Sequence, residues 1–445
     1  MTVRLIDSLA TTHALAEIFS DGSVVQAMLD FEIALARVEA RLGIIPAVAA
    51  KAIAKARAGD FDTEELAKAT LRAGTPGIPF SKALTEAVRV TDAKAAGFVH
   101  WGATSQDVAD TALMLLLKNA KPVIESDLLR TETALHKLAE EHSDTVMLGR
   151  TVLQPAPPVT FGLKAAGWLS AIRRGRKRFA ASLDEALQLQ FGGASGTLAA
   201  LGDKGAEVAR RVSEELGLKC PEAPWHAQRD QLAAAICACG VLTGSLAKMA
   251  RDVSLMMQGE VREIAEAGGS GRGGSSTMPQ KQNPIGCAVV LAAATRVPGL
   301  VSAFLSGMVQ EHERAVGGWQ AEWSTISNVM QSTGVAAESA AEIAEGLTVD
   351  SARMRVNLDD TLGTVLAEKV MIFLGRKIGR DKAHHLLEEA TRKAMLEKQP
   401  LARVLAGMPE VTKHMDASAL EKLAVPGDYL GSTEIFLRQQ LEAKD

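Results

Sequence analysis

The chain is poor in aromatic residues: they make up 4% of its 445 residues, and Tyr429 is the single tyrosine. Aromatic and β-branched residues favour strands. Their scarcity, beside abundant alanine and leucine, points to helices packed on helices. An excess of positive charge is also missing. The net charge is −4, which removes the global basic field that draws nucleic acid, so any anion site has to be local. Cysteine is confined to Cys220, Cys237, Cys239 and Cys287. None has metal-ligand spacing with a histidine, and a chain of this size needs no disulfide staples, so the four read as reduced thiols of a cytoplasmic protein. Met1 to Leu9 lacks a cationic stretch followed by an apolar one, so no secretory signal is expected. No uninterrupted apolar run of about 18 residues stands out, so no membrane span is expected.

What remains is ordinary for a globular protein, with 47% hydrophobic and 23% charged residues, and long enough for more than one domain. Glycine is concentrated in one place. Gly268-Gly269-Ser270-Gly271-Arg272-Gly273-Gly274 leads into Ser275-Ser276-Thr277-Met278-Pro279-Gln280-Lys281-Gln282-Asn283-Pro284. Glycines allow positive φ and close approach to a ligand, and they free backbone N–H groups to face an anion. Two hydroxyls, a lysine and an asparagine follow. Between long helical runs, such a stretch predicts a mobile lid whose far end is fixed by the two prolines. Gly269, Gly271 and Gly274 spell a literal G-x-G-x-x-G, but it follows a helix rather than a strand, so a dinucleotide site is not expected.

Along the chain, Ser23 and Gln26 fit a capping box before an apolar stripe from Val24 to Leu42. Asp62 and Glu65 open a second helix that ends at Gly74, and Ser81 to Val90 forms a third. His100 would ordinarily be a satisfied structural histidine. Thr104 and Ser105 precede a helix, where hydroxyls either cap the helix or bind an anion; from position alone, capping is the better reading. Val123 to Glu141 reads as a separate helix. Thr145 to Thr160, with Gly149, Pro155, Pro157 and Pro158, predicts an extended loop carrying Arg150, Thr151 and Gln154. The basic run Arg173 to Arg178 has no aromatic residue to stack bases and reads as a solvated or inter-subunit face. Phe191 to Thr197 is a second glycine-rich turn, without the lysine of a phosphate loop. Long helices are expected from Val159 to Leu187, from Pro224 towards the lid, from Ile285 to Glu313 and from Ser324 to Leu347. Helices of roughly 25 to 40 residues suit a central bundle, and their apolar faces call for an oligomer. The divisions expected are 1–103, 104–346 and 347–445, all helical. His384 and His385 are adjacent and face different ways, a poor metal pair.

Gly274 to Pro284 closely resembles the G-S-S-x-M-P-x-K-x-N-P signature of the fumarase/aspartase superfamily, and the Thr104-Ser105 and Gly149-Arg150-Thr151 segments resemble its two other site segments in order and spacing. Within the superfamily, the likeness is greatest to the 3-carboxy-cis,cis-muconate cycloisomerases. It is carried by His100 to Asp107, Phe191 to Gly202, Trp225 to Asp230, Gln310 to Arg314, Trp319 to Trp323 and Tyr429 to Gly431. The resemblance implies an all-α homotetramer with a central long-helix bundle, in which each site combines three segments from three subunits. It implies Ser275 as proton carrier, supported by Lys281. It also implies substrate contacts from His100, Thr104, Ser105, Arg150, Thr151, Gln154, Arg229 and Asn283.

The departures from the pattern are informative. The superfamily's lyases carry a histidine after the threonine of the Gly149 segment and a glutamate four residues after the signature's last proline; here these are Val152 and Ala288. Loss of one alone would strand a buried polar group at about 1–3 kcal/mol. Loss of both is a coherent change of chemistry, away from fumarate release. Pro155 and Gln282 also depart from the usual cycloisomerase pocket, which keeps a 3-sulfo-substituted muconate open beside the 3-carboxy compound, with a fumarate-releasing lyase as the further alternative. Lactonisation adds a carboxylate oxygen across a double bond and a proton to the carbon α to another carboxylate. It needs donors for enediolate charge and one proton carrier, and no metal or organic cofactor.

Overall fold

The computed structural model describes residues 4–267, 273–275, 277–278 and 280–443. The fold is all-α, with two small sheets among the described residues. The principal elements in chain order are α1 (Asp21–Arg41), α2 (Thr63–Ala73), α3 (Gly77–Thr91), α4 (Ser105–Glu141), strands β1 (Val146–Thr151) and β2 (Gln154–Thr160), α5 (Phe161–Ala186), α6 (Asp230–Met256), α7 (Ile285–Ser306), α8 (Gly318–Gly346), α9 (Ala367–Ile378) and α10 (Arg380–Glu397). Two-residue pairs at Ile264–Ala265 and Thr348–Val349 form the second sheet.

Helix α1 starts earlier than the Ser23 box predicts. Ser20 is the cap, its Oγ accepting from the Ser23 amide at 3.3 Å, while Gln26 donates to Asp30 instead. Asp62 caps α2 through the Glu64 and Glu65 amides, and Gly74 ends that helix at φ 70°, as predicted. Helix α4 runs unbroken for 37 residues with Pro122 inside it, where two helices were expected. A proline removes one N–H, but the buried Ala120, Ile124 and Leu128 on either side keep the helix packed.

The chain groups into two compact units. Unit 1 comprises Met1–Leu129, Arg174–Ala247 and Val289–Ala340; unit 2 comprises Arg130–Arg173, Lys248–Ala288 and Ala341–Asp445. These groups cut across the three-part division, because every boundary between them falls inside one of the five long helices α4, α5, α6, α7 and α8. Unit 1 is centred on Phe31, Leu35, Val38, Phe80, Leu84, Val108 and Phe191. In unit 2, α9, α10 and the helices that follow enclose Leu374, Leu387, Leu405 and Val411.

Two further results differ from the sequence reading. Residues 146–160 form an antiparallel hairpin rather than an irregular loop, with Thr151 opposite Gln154 and Arg150 opposite Pro155. Pro155 and Pro157, two apart, take positions whose N–H faces outward from the ribbon, and Pro158 falls where the register shifts opposite Met147 to Gly149. The turn residues Val152 (φ 50°) and Leu153 (φ 64°) are both left-handed, a geometry that favours Asn-Gly and disfavours a β-branched residue. Both are displayed to solvent, at 95% and 77% exposure. Secondly, α6 and α7 are long and apolar enough to cross a membrane by length and composition, with mean hydropathies of 1.7 and 1.8 over 18-residue windows. Helix α6 is largely buried within the chain, whereas only 28% of the α7 window is. All four cysteines are free, and burial pushes the Cys239 thiol up to about 12.

Candidate active site

In unit 1, an open cavity of about 640 Å³ is lined by His100, Thr104, Ser105, Gln106, Arg314 and Trp319, among others. Its floor is the start of α4. The hydroxyls of Thr104 and Ser105 do not cap that helix. Asp107 does so from the third position: its Oδ2 accepts from the Thr104 amide at 2.9 Å. The same carboxylate accepts from the amides of Gly192 (3.0 Å) and Gly193 (2.9 Å) and pairs with His226 Nε2 at 2.7 Å. The second glycine-rich turn therefore spends its free amides on Asp107. A Cβ on Gly192 would lie 2.7 Å from His226 Cε1, which explains glycine there.

With the cap supplied by Asp107, the two hydroxyls are available to Arg314. Its guanidinium donates to Thr104 Oγ1 at 2.8 Å, Ser105 Oγ at 3.2 Å and Gln106 Oε1 at 3.2 Å. All three acceptors are neutral, and among the described residues no carboxylate neutralises this cation. An arginine fixed by neutral groups on a cavity wall keeps its charge for an anion, and its fork matches a carboxylate. Nothing local in the sequence marks Arg314 as a site residue, because its partner Thr104 lies 210 positions away. The cavity also holds the titratable His100, whose Nδ1 lies 2.6 Å from Glu32 Oε1. Burial disfavours the imidazolium, but the charge and hydrogen bond of Glu32, with the charge of Asp107, outweigh it and hold the His100 pKa above its usual value.

Arg229 is not on the cavity wall, contrary to the expectation of a substrate contact. It is 2% exposed. Its Nη1 and Nη2 hold Asp110 at 2.8 and 3.1 Å, and its Nε holds Glu322 at 3.0 Å. Trp225 stacks on it at 4.7 Å. The two carboxylates take Trp319 Nε1 and Gln310 Nε2 in turn. A guanidinium so committed cannot turn to a ligand; it braces Asp110, which also holds Gln106 at 3.2 Å, the residue that accepts from Arg314.

In unit 2, Arg150 is likewise committed. Its two terminal nitrogens hold the Glu263 carboxylate at 2.7 and 2.9 Å, fixing β1, so it is not the free cation the sequence suggested. Thr151 and Gln154 flank the exposed turn of the hairpin. The described part of the glycine-rich stretch closes on itself: the Asn283 amide donates to Gly273 O at 2.8 Å, and Gly274 bridges Gln282. Gly273 has φ 73°, and a Cβ there would sit 2.7 Å from Asn283 O, so only glycine fits. Ser275 Oγ accepts from the amides of Met278 (3.1 Å) and Thr277 (3.3 Å), donors that stabilise negative charge on that oxygen. Lys281 is exposed. Glu266, unremarked in the sequence, caps α7 through the Gly286 (3.0 Å) and Cys287 (2.8 Å) amides. Residues 268–272, which hold Gly269 and Gly271 of the expected lid, lie outside the described residues, as do Ser276 and Pro279.

The Lyase family model matches residues 9–299, and the adenylosuccinate lyase C-terminus model matches residues 363–439. A 3-carboxy-cis,cis-muconate cycloisomerase from Bradyrhizobium diazoefficiens is 47% identical over 99% of this chain and 98% of its own length. One from Pseudomonas aeruginosa is 47% identical over 98% of this chain and 96% of its own. The chain belongs to the 3-carboxy-cis,cis-muconate cycloisomerase family of the fumarase/aspartase superfamily. Among solved structures, the 3-carboxy-cis,cis-muconate lactonizing enzyme of Pseudomonas putida superposes with a TM-score of 0.92 at 46% identity, covering 99% of this chain and 98% of that one. The likeness to these cycloisomerases thus spans the cavity at Thr104, the hairpin and the signature alike.

Proposed function

We propose that the chain is a cofactor-independent lactonising enzyme converting 3-carboxy-cis,cis-muconate to a carboxymuconolactone in aromatic catabolism. The observation that carries this is the near-full-length identity of 47% to cycloisomerases of that name. The 3-carboxy compound is the stronger substrate reading, ahead of a 3-sulfo analogue, because those relatives are named for it. Fumarate release is disfavoured by Val152 and Ala288, which replace both members of the lyases' histidine–glutamate pair.

The reaction is redox-neutral and intramolecular. A carboxylate oxygen forms a C–O bond to one alkene carbon, and the neighbouring carbon, α to another carboxylate, gains a proton. In our reading, Ser275 gives that proton, the Thr277 and Met278 amides support the resulting alkoxide until water reprotonates it, and Lys281 supplies positive charge. Arg314, with Thr104 and Ser105, holds one carboxylate, and His100 faces the same cavity. Thr151, Gln154 and Asn283 complete the substrate contacts. Arg229 and Arg150 act one step back, through Asp110 and Glu263.

A homotetramer with active sites shared between three subunits is part of this proposal, as are a cytoplasmic location and the absence of nucleic-acid and membrane partners. The apolar α7, only 28% of whose window is buried, and the displayed Val152-Leu153 turn support burial against other copies. The test is to mix the purified protein with 3-carboxy-cis,cis-muconate and its 3-sulfo analogue and follow the diene absorbance. Rapid loss with the carboxy compound is expected; no loss with either sinks the reading.

A further inference from the structure

The His100–Glu32 pair is built for more than packing. Glu32 sits on α1 with its side chain 1% exposed, and His100, 21% exposed, lies between it and the cavity. His100 holds a left-handed backbone, φ 59°. That conformation costs a non-glycine residue of order 1–3 kcal/mol and persists only where its surroundings impose it. With Nδ1 taken by Glu32, the other ring nitrogen, Nε2, has no hydrogen bond from the described residues and is not a buried orphan. One turn-pair along α1, Glu39 is buried with both carboxyl oxygens unpartnered. Burial, and then the charge of Glu32, push its pKa up to about 9. Of two buried carboxyls on one helix, the neutral one is therefore Glu39, and Glu32 is the one in contact with His100.

We propose that Glu32 is a positioning residue of the active site: it fixes the His100 ring and holds it as an imidazolium whose Nε2–H binds a second carboxylate of the substrate, in the cavity where Arg314 binds the first. A carboxylate behind a histidine sets its tautomer and orientation and raises its basicity. The groups that act on the charge of His100 are Glu32 from α1 and Asp107 from α4, both favouring it; Arg314 lines the same cavity. A cavity carrying two cations suits a dianionic or trianionic substrate and disfavours a monoacid.

This inference rests on the substrate reading above, so its test includes a non-reacting probe. Tricarballylate, a saturated tricarboxylate, is titrated into the full-length wild type, Glu32→Gln and His100→Gln across pH 5.5 to 9, and KM and kcat for 3-carboxymuconate are measured in parallel. The wild type should lose affinity as pH rises through the His100 transition. Glu32→Gln should move that transition down by about one unit or more, weaken tricarballylate roughly tenfold at neutral pH and regain wild-type affinity near pH 5.5, with KM changing more than kcat. His100→Gln should abolish the transition, and it carries the test alone if Glu32→Gln does not fold. A Glu32→Gln transition unmoved from wild type, a loss of affinity equal at every pH, or a transition that persists in His100→Gln would overturn the proposal. Tricarballylate binding with this pH behaviour but no turnover of muconate would instead fault the substrate reading alone.

Discussion

Arg314 Nη1 donates to Thr104 Oγ1 at 2.8 Å, joining a cation from the segment after α7 to the hydroxyl that opens α4. The bond places a charged fork on the cavity wall with no carboxylate to quench it. Charge-assisted bonds to a substrate carboxylate are worth about 1.5–3 kcal/mol. Arg314→Ala should therefore lower kcat/KM roughly 10- to 100-fold, mostly through KM. Arg314→Lys should rescue little, since an ammonium cannot reach three acceptors and a carboxylate in one plane. Steady-state kinetics on the three forms decide this; full activity in Arg314→Lys would show that charge alone matters.

Ser275→Ala removes the oxygen to which two backbone amides are directed. If that oxygen delivers the proton, kcat should fall by about two to four orders of magnitude, with thermal stability and oligomer size unchanged. A variant turning over at near the wild-type rate would move the proton to another group.

Arg229 answers to a different measurement. Arg229→Met leaves Asp110 and Glu322 buried, 0% and 1% exposed, without their counter-charge. Breaking such a pair costs about 3–5 kcal/mol. A large drop in urea midpoint should accompany any loss of activity. Lost activity at unchanged stability would return Arg229 to the substrate.

Glu39 makes stability depend on pH. Its pKa is pushed up to about 9 in the folded protein, by burial first and Glu32 second, against an ordinary 4.5. The folded state therefore binds a proton that the unfolded state gives up, and stability is lost as pH rises from about 4.5 towards 9. Glu39→Gln removes that penalty. It should be about neutral at pH 4 and stabilising by up to about 3 kcal/mol at pH 7. Denaturant curves at pH 4, 7 and 9 check this; a difference that does not grow with pH contradicts it.

The sequence announced the helical class, the α2 boundaries and the signature loop because each rests on local chemistry: an Asp cap, a left-handed glycine, a dense run of glycines and hydroxyls. It concealed what depends on distant partners. Thr104 and Ser105 looked like caps because the residue that caps in their place, Asp107, is identified only by its contacts to Gly192, Gly193 and His226. Arg229 and Arg150 looked like substrate cations because nothing local reveals Asp110, Glu322 or Glu263 beside them. Arg314 is hidden for the converse reason: the hydroxyls that mark it as unquenched lie far back in the chain. The hairpin at 146–160 was hidden by its prolines and by a Val-Leu turn that no turn preference favours.

The central claim is tested most directly by proton NMR of 3-carboxy-cis,cis-muconate incubated with the enzyme in deuterium oxide. The account predicts loss of the diene signals and a lactone carrying one deuterium on the carbon α to a carboxylate. An unchanged diene, together with fumarate released from argininosuccinate or adenylosuccinate, would contradict it.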